Sequence, residues 1–138
     1  MNSLQVLLVE DDQEDIRSIS DVFQKKGKVS IHYTDSVQEA MQLVSINRYD
    51  LIMIDLNLGI RNESGFHILQ HIKQQPGTSY IPCVVFSSTR RLEEWNRCYS
   101  YGANGCYQKP IDPDSYDSVV ELIADAFLFM IQKATYFN

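Results

Sequence analysis

Apolar residues along the chain occur in two patterns, short runs without a break and longer stretches with helical spacing. The short runs are rich in β-branched and aliphatic residues, which is typical of strands that other elements cover on both faces. Five segments have strand character: residues 4–9, 29–33, 51–54, 81–86 and 104–108. We predict that they form one sheet, with the run 51–54 as a central strand.

Helical spacing of apolar residues fills the segments between these runs and the region after the last of them. The apolar positions are Ile16, Ile19, Val22 and Phe23, then Val37, Ala40, Met41 and Val44, then Phe66, Leu69 and Ile72, then Leu92, Trp95 and Tyr99, with a last helix over residues 113–131. Asp12 and either Asp35 or Ser36 stand where helix N-caps are expected, and Gly27 stands where a helix stops. Strands that alternate with helices over short connections predict a doubly wound parallel sheet of the α/β class.

Length and charge narrow the class of protein. The chain has 138 residues, which fits one domain without room for a second. It carries 18 acidic residues against 12 Lys and Arg residues, and the net charge of -6 argues against nucleic acid or anionic membrane as a partner. No segment approaches the ~20 apolar residues of a membrane span, and residues 1–8 lack the features of an export signal. Cys83, Cys98 and Cys106 show no CxxC spacing, so we expect free thiols in a cytoplasmic protein.

Polar and charged residues follow four of the predicted strands at the points where the strands end. They are Glu10, Asp11 and Asp12, then Asp55 and Asn57, then Ser87, and then Lys109. In a parallel sheet, the carboxyl ends of all strands lie along one edge, where open α/β folds place their ligands. We therefore predict that these residues converge in one crevice, although they are far apart in the sequence.

The predicted crevice would bring Glu10, Asp11 and Asp55 close together. The repulsion among three carboxylates requires a bound cation or a shift in protonation. Carboxylate, carbonyl and water oxygens are the ligands that Mg²⁺ prefers, and Mg²⁺ commonly bridges to phosphate. Lys109 would supply a fixed positive charge and Ser87 a hydroxyl donor, which are the groups expected around a phosphoryl group. The sequence therefore predicts a Mg²⁺ site beside a site for phosphoryl chemistry.

Two other classes of protein fit these residues less well. A phosphatase with an aspartate nucleophile normally has a second Asp two residues later, and Asn57 cannot serve as that acid. A nucleotide-binding module would need a cradle of Gly, Ser and Thr after the first strand, where residues 10–12 are all acidic. The pattern therefore disfavours an enzyme and a nucleotide-binding domain.

Five short motifs occur in an order and at spacings that are specific in combination. They are LLVEDD at residues 7–12, LIMIDLNL at 51–58, PCVVFSS at 82–88, GAN at 102–104 and KP at 109–110. In these motifs the chain resembles the receiver domain of two-component response regulators over nearly its whole length. The resemblance implies a flavodoxin-like fold with strand order 2-1-3-4-5. It also implies a single receiver domain over residues 1–138, without an effector domain.

The same resemblance assigns a role to each residue around the predicted metal. Asp55 is similar to the aspartate that accepts the phosphoryl group. Glu10 and Asp11 are similar to the acidic pair that holds Mg²⁺ together with Asp55. Asn57 matches the residue that lends its backbone carbonyl to the metal.

The resemblance further implies how the protein works. Asp55 would accept a phosphoryl group from a sensor histidine kinase or a phosphotransfer protein, and Ser87 and Lys109 would then turn toward the phosphoryl oxygens. Thr89 and Asn57 match positions that tune the access of attacking water. The VEDD and DLNL segments look most like those of small regulators that partner bacterial phytochrome-type kinases. The alternative is a receiver-fold scaffold that acts by protein binding without phosphorylation.

Two features depart from the usual receiver pattern, and a third, in the last helix, concerns contacts with a partner. Cys106 stands where an aromatic residue is usual, and Tyr107, one step on, is predicted to point to the opposite face of the sheet. The loop after Asp55 is longer than usual, and its Glu63 either approaches the metal or is solvated. Residues 127–131 are apolar all round the helix, which predicts a homodimer or partner contact through this helix, or a tail folded back on the core.

Overall fold

The computed structural model describes the backbone of residues 3–58 and 63–137 and the side chains of residues 3–58 and 64–131. The main sheet of this described part has five parallel strands, which are β1 Leu4–Val9, β2 Val29–Thr34, β3 Leu51–Ile54, β6 Cys83–Ser87 and β7 Gly105–Gln108. Their order in the sheet is β2-β1-β3-β6-β7. Counted within this sheet alone, the order is 2-1-3-4-5, so the predicted doubly wound, flavodoxin-like fold is confirmed.

The segment between β3 and the third helix was predicted as a loop. It contains a short antiparallel pair, β4 Asn57–Leu58 and β5 Glu63–Ser64. The four residues between these strands include Gly59 and Ile60 and lie outside the described part of the chain, as does the side chain of Glu63.

In the part of the chain that the structure describes, five helices connect and cover the strands. They are α1 Gln13–Lys26, α2 Val37–Ile46, α3 Gly65–Gln74, α4 Leu92–Ser100 and α5 Pro113–Phe137. Asp12 caps α1 by accepting hydrogen bonds from two backbone N–H groups of the first turn, and Ser36 caps α2 in the same way from Glu39. Gly102 follows α4 with a φ of 98°, a left-handed conformation that favours glycine. The last helix extends six residues beyond the predicted end at residue 131.

Two hydrophobic layers cover the faces of the sheet. Side chains alternate along a strand, so Val6 and Leu8 of β1 pack with α1 and α5, whereas Leu7 and Val9 pack with α2, α3 and α4. This alternation explains why the strand is an unbroken apolar run, since both of its faces are covered. Among the described helices, none combines the length and the apolar character that a membrane span needs.

Candidate functional site

The parallel ladder brings the predicted residues to one edge of the sheet. The Asp55 N–H donates to the Val9 carbonyl oxygen at 3.0 Å, which fixes the end of β3 beside the end of β1. The Lys109 N–H donates to the Ser87 carbonyl oxygen at 2.8 Å, which fixes the end of β7 beside that of β6. Glu10 directly follows Val9, so its side chain belongs to the same edge.

The ammonium group of Lys109 lies at the centre of the site. Its Nζ is 2.5 Å from Glu10 Oε1, 2.9 Å from Asp15 Oδ2 and 3.1 Å from Asp55 Oδ2. The Lys109 and Asp55 side chains are each 10% exposed and that of Glu10 is 2% exposed, so these charges interact with little screening by water. An ammonium group has three N–H donors, and the three carboxylates, two that directly follow β1 and β3 and one in α1, can therefore accept all of them.

The acid cluster consists of Glu10, Asp11 and Asp55. One carboxylate oxygen from each of the three lies within 4.8 Å of the others. A set of oxygen ligands is the donor chemistry that suits Mg²⁺, and one lysine cannot neutralise three acids, so these residues fit a bound dication. The Asn57 N–H donates to Asp55 Oδ1 at 3.3 Å, which places the Asn57 backbone beside this cluster. Its role as a metal ligand stays a prediction.

Burial and the neighbouring charges raise the pKa of both Glu10 and Lys109, for different reasons. Burial raises the pKa of Glu10, and the nearby Asp55 adds to this rise, while Lys109 acts against it. Burial opposes the charge of Lys109, but the carboxylates of Glu10 and Asp55 outweigh it and raise the Lys109 pKa above its ordinary value. Lys109 is therefore a permanent cation at neutral pH, and additional positive charge at the site would favour the ionised form of Glu10.

Ser87 places a hydroxyl donor at the same edge. The residue is fully buried at the end of β6, and its Oγ has no hydrogen-bond partner among the described residues. A buried hydroxyl without a partner costs stability, so it is normally retained where a ligand or a second conformation satisfies it. The Ser87 hydroxyl is thus available to an oxygen that arrives at Asp55.

The loop after β6 is tied to the first turn of α4. The Thr89 hydroxyl donates to a carboxylate oxygen of Glu94, and the Arg91 N–H donates to Thr89 Oγ1 at 3.3 Å. Thr89 is 8% exposed, so these contacts are largely protected from water. A movement of this loop would therefore be transmitted to α4.

The residues near the usual aromatic position lie on opposite faces of the sheet. Cys106 packs with the layer that contains α2, α3 and α4, and Tyr107 packs with the layer that contains α1 and α5. The prediction that Tyr107 points to the opposite face is therefore confirmed. A partly buried thiol occupies the position at which an aromatic ring would be expected to change rotamer.

Asp15 was missed by reasoning from the sequence. It is the third residue of α1, one turn after the acidic run, and it was assigned no role from the sequence. The available signal was its place at the amino end of α1, which follows β1 at the same edge of the sheet. The structure shows that this position reaches Lys109.

Comparison with known proteins places the chain in a family. Residues 6–121 match the model of the response regulator receiver domain. The phosphorylated cyanobacterial phytochrome response regulator RcpA is 26% identical with a TM-score of 0.84, covering 92% of this chain and 95% of its own. The Mn²⁺-bound form of response regulator Rcp1 is also 26% identical, with a TM-score of 0.78 and coverage of 87% and 91%.

Among curated proteins, the cell cycle response regulator CtrA of Brucella ovis is 29% identical over 111 residues, which are 80% of this chain and 46% of CtrA. The chain thus spans about half the length of the curated relatives that it matches. The match to the family model covers most of the chain and includes every residue of the edge described above. The chain belongs to the response regulator receiver domain family.

Proposed function

We propose that this protein accepts a phosphoryl group on Asp55, with Mg²⁺ held by Glu10, Asp11 and Asp55, and passes the signal on through protein contacts. The observation that carries the proposal is the position of the Asp55 carboxylate, which lies in the acid cluster and is 3.1 Å from the Lys109 ammonium. A nucleophile beside both a metal site and a fixed cation is suited to receive a phosphoryl group.

The donor is a phosphohistidine of a sensor histidine kinase or of a phosphotransfer protein. A carboxylate oxygen of Asp55 attacks phosphorus, a P–O bond forms, and the imidazole nitrogen leaves with the electrons of the P–N bond. When bound, Mg²⁺ supplies positive charge against the phosphoryl oxygens. Lys109 supplies further positive charge, and its position beside Asp55 requires little reorganisation.

The transferred group would then change the surroundings of Asp55. The phosphoryl oxygens are strong acceptors, and the unpaired Ser87 hydroxyl can donate to one of them. Because Thr89 follows two residues later and is bonded to Glu94, a shift of Ser87 would displace the start of α4. The altered surface of α4 and β7 is the proposed output. With Cys106 in place of an aromatic ring, this output relies on Ser87 and helix movement.

Partners follow from similarity and from surface chemistry. RcpA is a cyanobacterial phytochrome response regulator, and we propose a sensor kinase of phytochrome type as the partner.

Large apolar side chains are exposed along α5, including Leu122 at 59% and Met130 at 45%, which supports a homodimer contact through this helix. The net charge of -6 favours neither nucleic acid nor an anionic membrane as a binding partner. We further propose that the protein is cytoplasmic and acts in signalling without being an enzyme.

The test is labelling with a small phosphodonor. The protein is treated with phosphoramidate or acetyl phosphate with Mg²⁺ and then with excess EDTA, and intact mass spectrometry measures the gain of one phosphoryl group. We expect Mg²⁺-dependent labelling that Asp55→Asn abolishes. Asp21→Asn removes an equal charge from an exposed position of α1 and should label as the parent does. A parent protein that stays unlabelled under all conditions would instead support a scaffold that works by binding alone.

A further inference from the structure

Asp15 is the partner of Lys109 that the acid cluster does not explain. Of the three carboxylates that contact Lys109 Nζ, Glu10 and Asp55 also belong to the cluster that can hold a metal. Asp15 lies outside that cluster among the described residues, although its Oδ2 is 2.9 Å from Nζ. Its carboxylate therefore contacts Lys109 without belonging to the group of acids that could hold a cation.

The start of α1 holds Asp15 in place. The Asp15 N–H donates to Oδ1 of the N-cap residue Asp12 at 3.0 Å, so the backbone at this position is fixed. A carboxylate in the first turn is further stabilised by the positive end of the helix dipole. The side chain is 24% exposed, which leaves it partly shielded from water and close to a charge of opposite sign. Asp15 thus offers Lys109 a preorganised acceptor.

Aromatic rings restrict the space available to the Lys109 side chain on the side away from the carboxylates. Nζ lies 5.8 Å from the centroid of the Phe86 ring, and Phe86 in turn packs at 5.3 Å against Tyr116 of α5. Burial, followed by the negative charge of Asp15, raises the pKa of Tyr116, so that hydroxyl stays neutral beside the Asp15 carboxylate. Lys109 is therefore confined by an aromatic layer and oriented by the carboxylates in front of it.

We propose that Asp15 is a positioning residue that keeps the Lys109 ammonium directed at Asp55 while the metal and the phosphoryl group occupy the other acids. This inference rests on the proposed function. When Glu10 serves a cation and Asp55 carries a phosphoryl group, both carboxylates have less charge to offer Lys109. Asp15 has no such second commitment, so it remains the anionic partner that fixes the direction of the lysine side chain.

A positioning role and a simple charge effect predict opposite results. Removal of the negative charge of Asp15 would, by charge alone, reduce the repulsion of an anionic phosphodonor and speed its reaction. Loss of the Nζ contact would instead let Lys109 move, which weakens the stabilisation of the transferring group without changing how the donor first binds. The maximal rate and the half-saturating donor concentration therefore separate the two explanations.

The experiment compares Asp15→Ala, Asp15→Asn and the control Glu14→Gln. Glu14 is exposed in the same first turn, so its replacement removes the same charge from the helix end without touching Lys109. Phosphorylation by phosphoramidate is followed at saturating Mg²⁺ over a range of donor concentrations. For Asp15→Ala we expect a maximal rate about tenfold lower with a half-saturating concentration within about twofold of the parent. Asp15→Asn keeps an oxygen acceptor and should fall between, and Glu14→Gln should match the parent.

A second measurement does not depend on phosphorylation. In the ¹⁵N-labelled protein, the Lys109 ammonium should give a resolved Nζ signal in the parent and in Glu14→Gln, because the contacts slow its exchange with water. In Asp15→Ala this signal should broaden or disappear, and in Asp15→Asn, which keeps an oxygen acceptor, it should broaden less. If Asp15→Ala does not fold, which urea denaturation detects, Asp15→Asn serves for both measurements.

The outcomes distinguish the two proposals. An unchanged maximal rate in the Asp15 variants, a faster reaction, or an equal fall in Glu14→Gln would overturn the positioning role. If the parent itself takes up no phosphate, the proposed function fails, and the Nζ signal still decides whether Asp15 orients Lys109. An unchanged Nζ signal in the Asp15 variants would overturn the positioning role in that case as well.

Discussion

Gly65 lies so close to Asp55 that a β carbon added at Gly65 would be 2.2 Å from the Asp55 carbonyl oxygen. The same β carbon would be 2.7 Å from Cγ2 of Ile54. Because the Gly65 N–H also donates to the Leu56 carbonyl oxygen at 2.8 Å, the first residue of α3 is held against the end of β3. The backbone around the proposed phosphoacceptor is thus positioned by a glycine.

This contact predicts a large effect of Gly65→Ala. The methyl group would meet backbone rather than a flexible side chain, so β3 and α3 must separate, and we expect the free energy of unfolding to fall by about 3 kcal/mol. Urea denaturation measures the loss. Gly77→Ala is the control, since a β carbon there would have no neighbour within 4 Å. Equal stability of the two variants would show that the strand end can yield without cost.

Much of the fold could be predicted from the sequence because each face of the sheet leaves a pattern. Val6 and Leu8 on one side and Leu7 and Val9 on the other make β1 continuously apolar, and this identified a covered parallel strand. The order of the strands required the resemblance to a known family. The fourth strand was predicted to end at residue 86, because Ser87 is polar. In the structure β6 includes Ser87, which pairs with Gln108 of β7.

The site was less predictable where a residue does not follow a strand, because the sequence then does not indicate which distant residues it contacts. Glu10, Asp55 and Lys109 follow strands, so the rule for parallel sheets brought them together. Asp15 lies within a helix, where an acidic residue is normally a solvated residue of the first turn. Only the three-dimensional structure shows that the start of α1 lies beside Lys109, so that the Asp15 carboxylate contacts its ammonium group.

Ser87→Ala should stabilise the unphosphorylated protein. The Ser87 hydroxyl is fully buried without a partner among the described residues, so its removal eliminates a desolvation cost, and we expect the free energy of unfolding to rise by about 1 kcal/mol. Thr89→Val should have the opposite effect on stability. The Thr89 hydroxyl donates to Glu94, so its loss should lower the free energy of unfolding by about 1 kcal/mol. Both values come from urea denaturation. A destabilised Ser87→Ala would indicate that the hydroxyl is already satisfied.

Lys109→Met should destabilise the protein in a way that Mg²⁺ partly reverses. The variant leaves Glu10, Asp15 and Asp55 without their common cation, and the loss of one partner from a buried ion pair costs about 3–5 kcal/mol. With the competing ammonium gone, a dication should raise the melting temperature more in the variant than in the parent.

The control for this prediction is the exposed ion pair between Lys26 and Asp125, which are 3.0 Å apart with side chains that are 31% and 63% exposed. Lys26→Met should change the free energy of unfolding by no more than about 1 kcal/mol and leave the effect of Mg²⁺ unaltered. Thermal unfolding with and without Mg²⁺ measures all three proteins. A melting temperature that Mg²⁺ leaves unchanged in both the parent and Lys109→Met would argue against a metal at the acid cluster, and an equal rise in both would show that the ammonium does not compete with the metal.

The cysteines should differ in reactivity with pH, because their surroundings shift the thiol pKa in opposite directions. Contact with Cys98 and with the Tyr99 hydroxyl lowers the pKa of Cys106 against the opposing effect of burial, whereas burial raises the pKa of Cys83 to about 12. The thiolate is the reactive form, so iodoacetamide should modify Cys106 of the folded protein at a lower pH than an ordinary thiol and leave Cys83 intact. Peptide mass spectrometry over a pH series gives the pH at which half of Cys106 is modified.

Tyr99→Phe removes a donor to the Cys106 thiolate and should move that midpoint to higher pH. Tyr33→Phe, at the opposite edge of the sheet, should leave the midpoint in place. A midpoint that Tyr99→Phe does not move would mean that Tyr99 does not stabilise the thiolate.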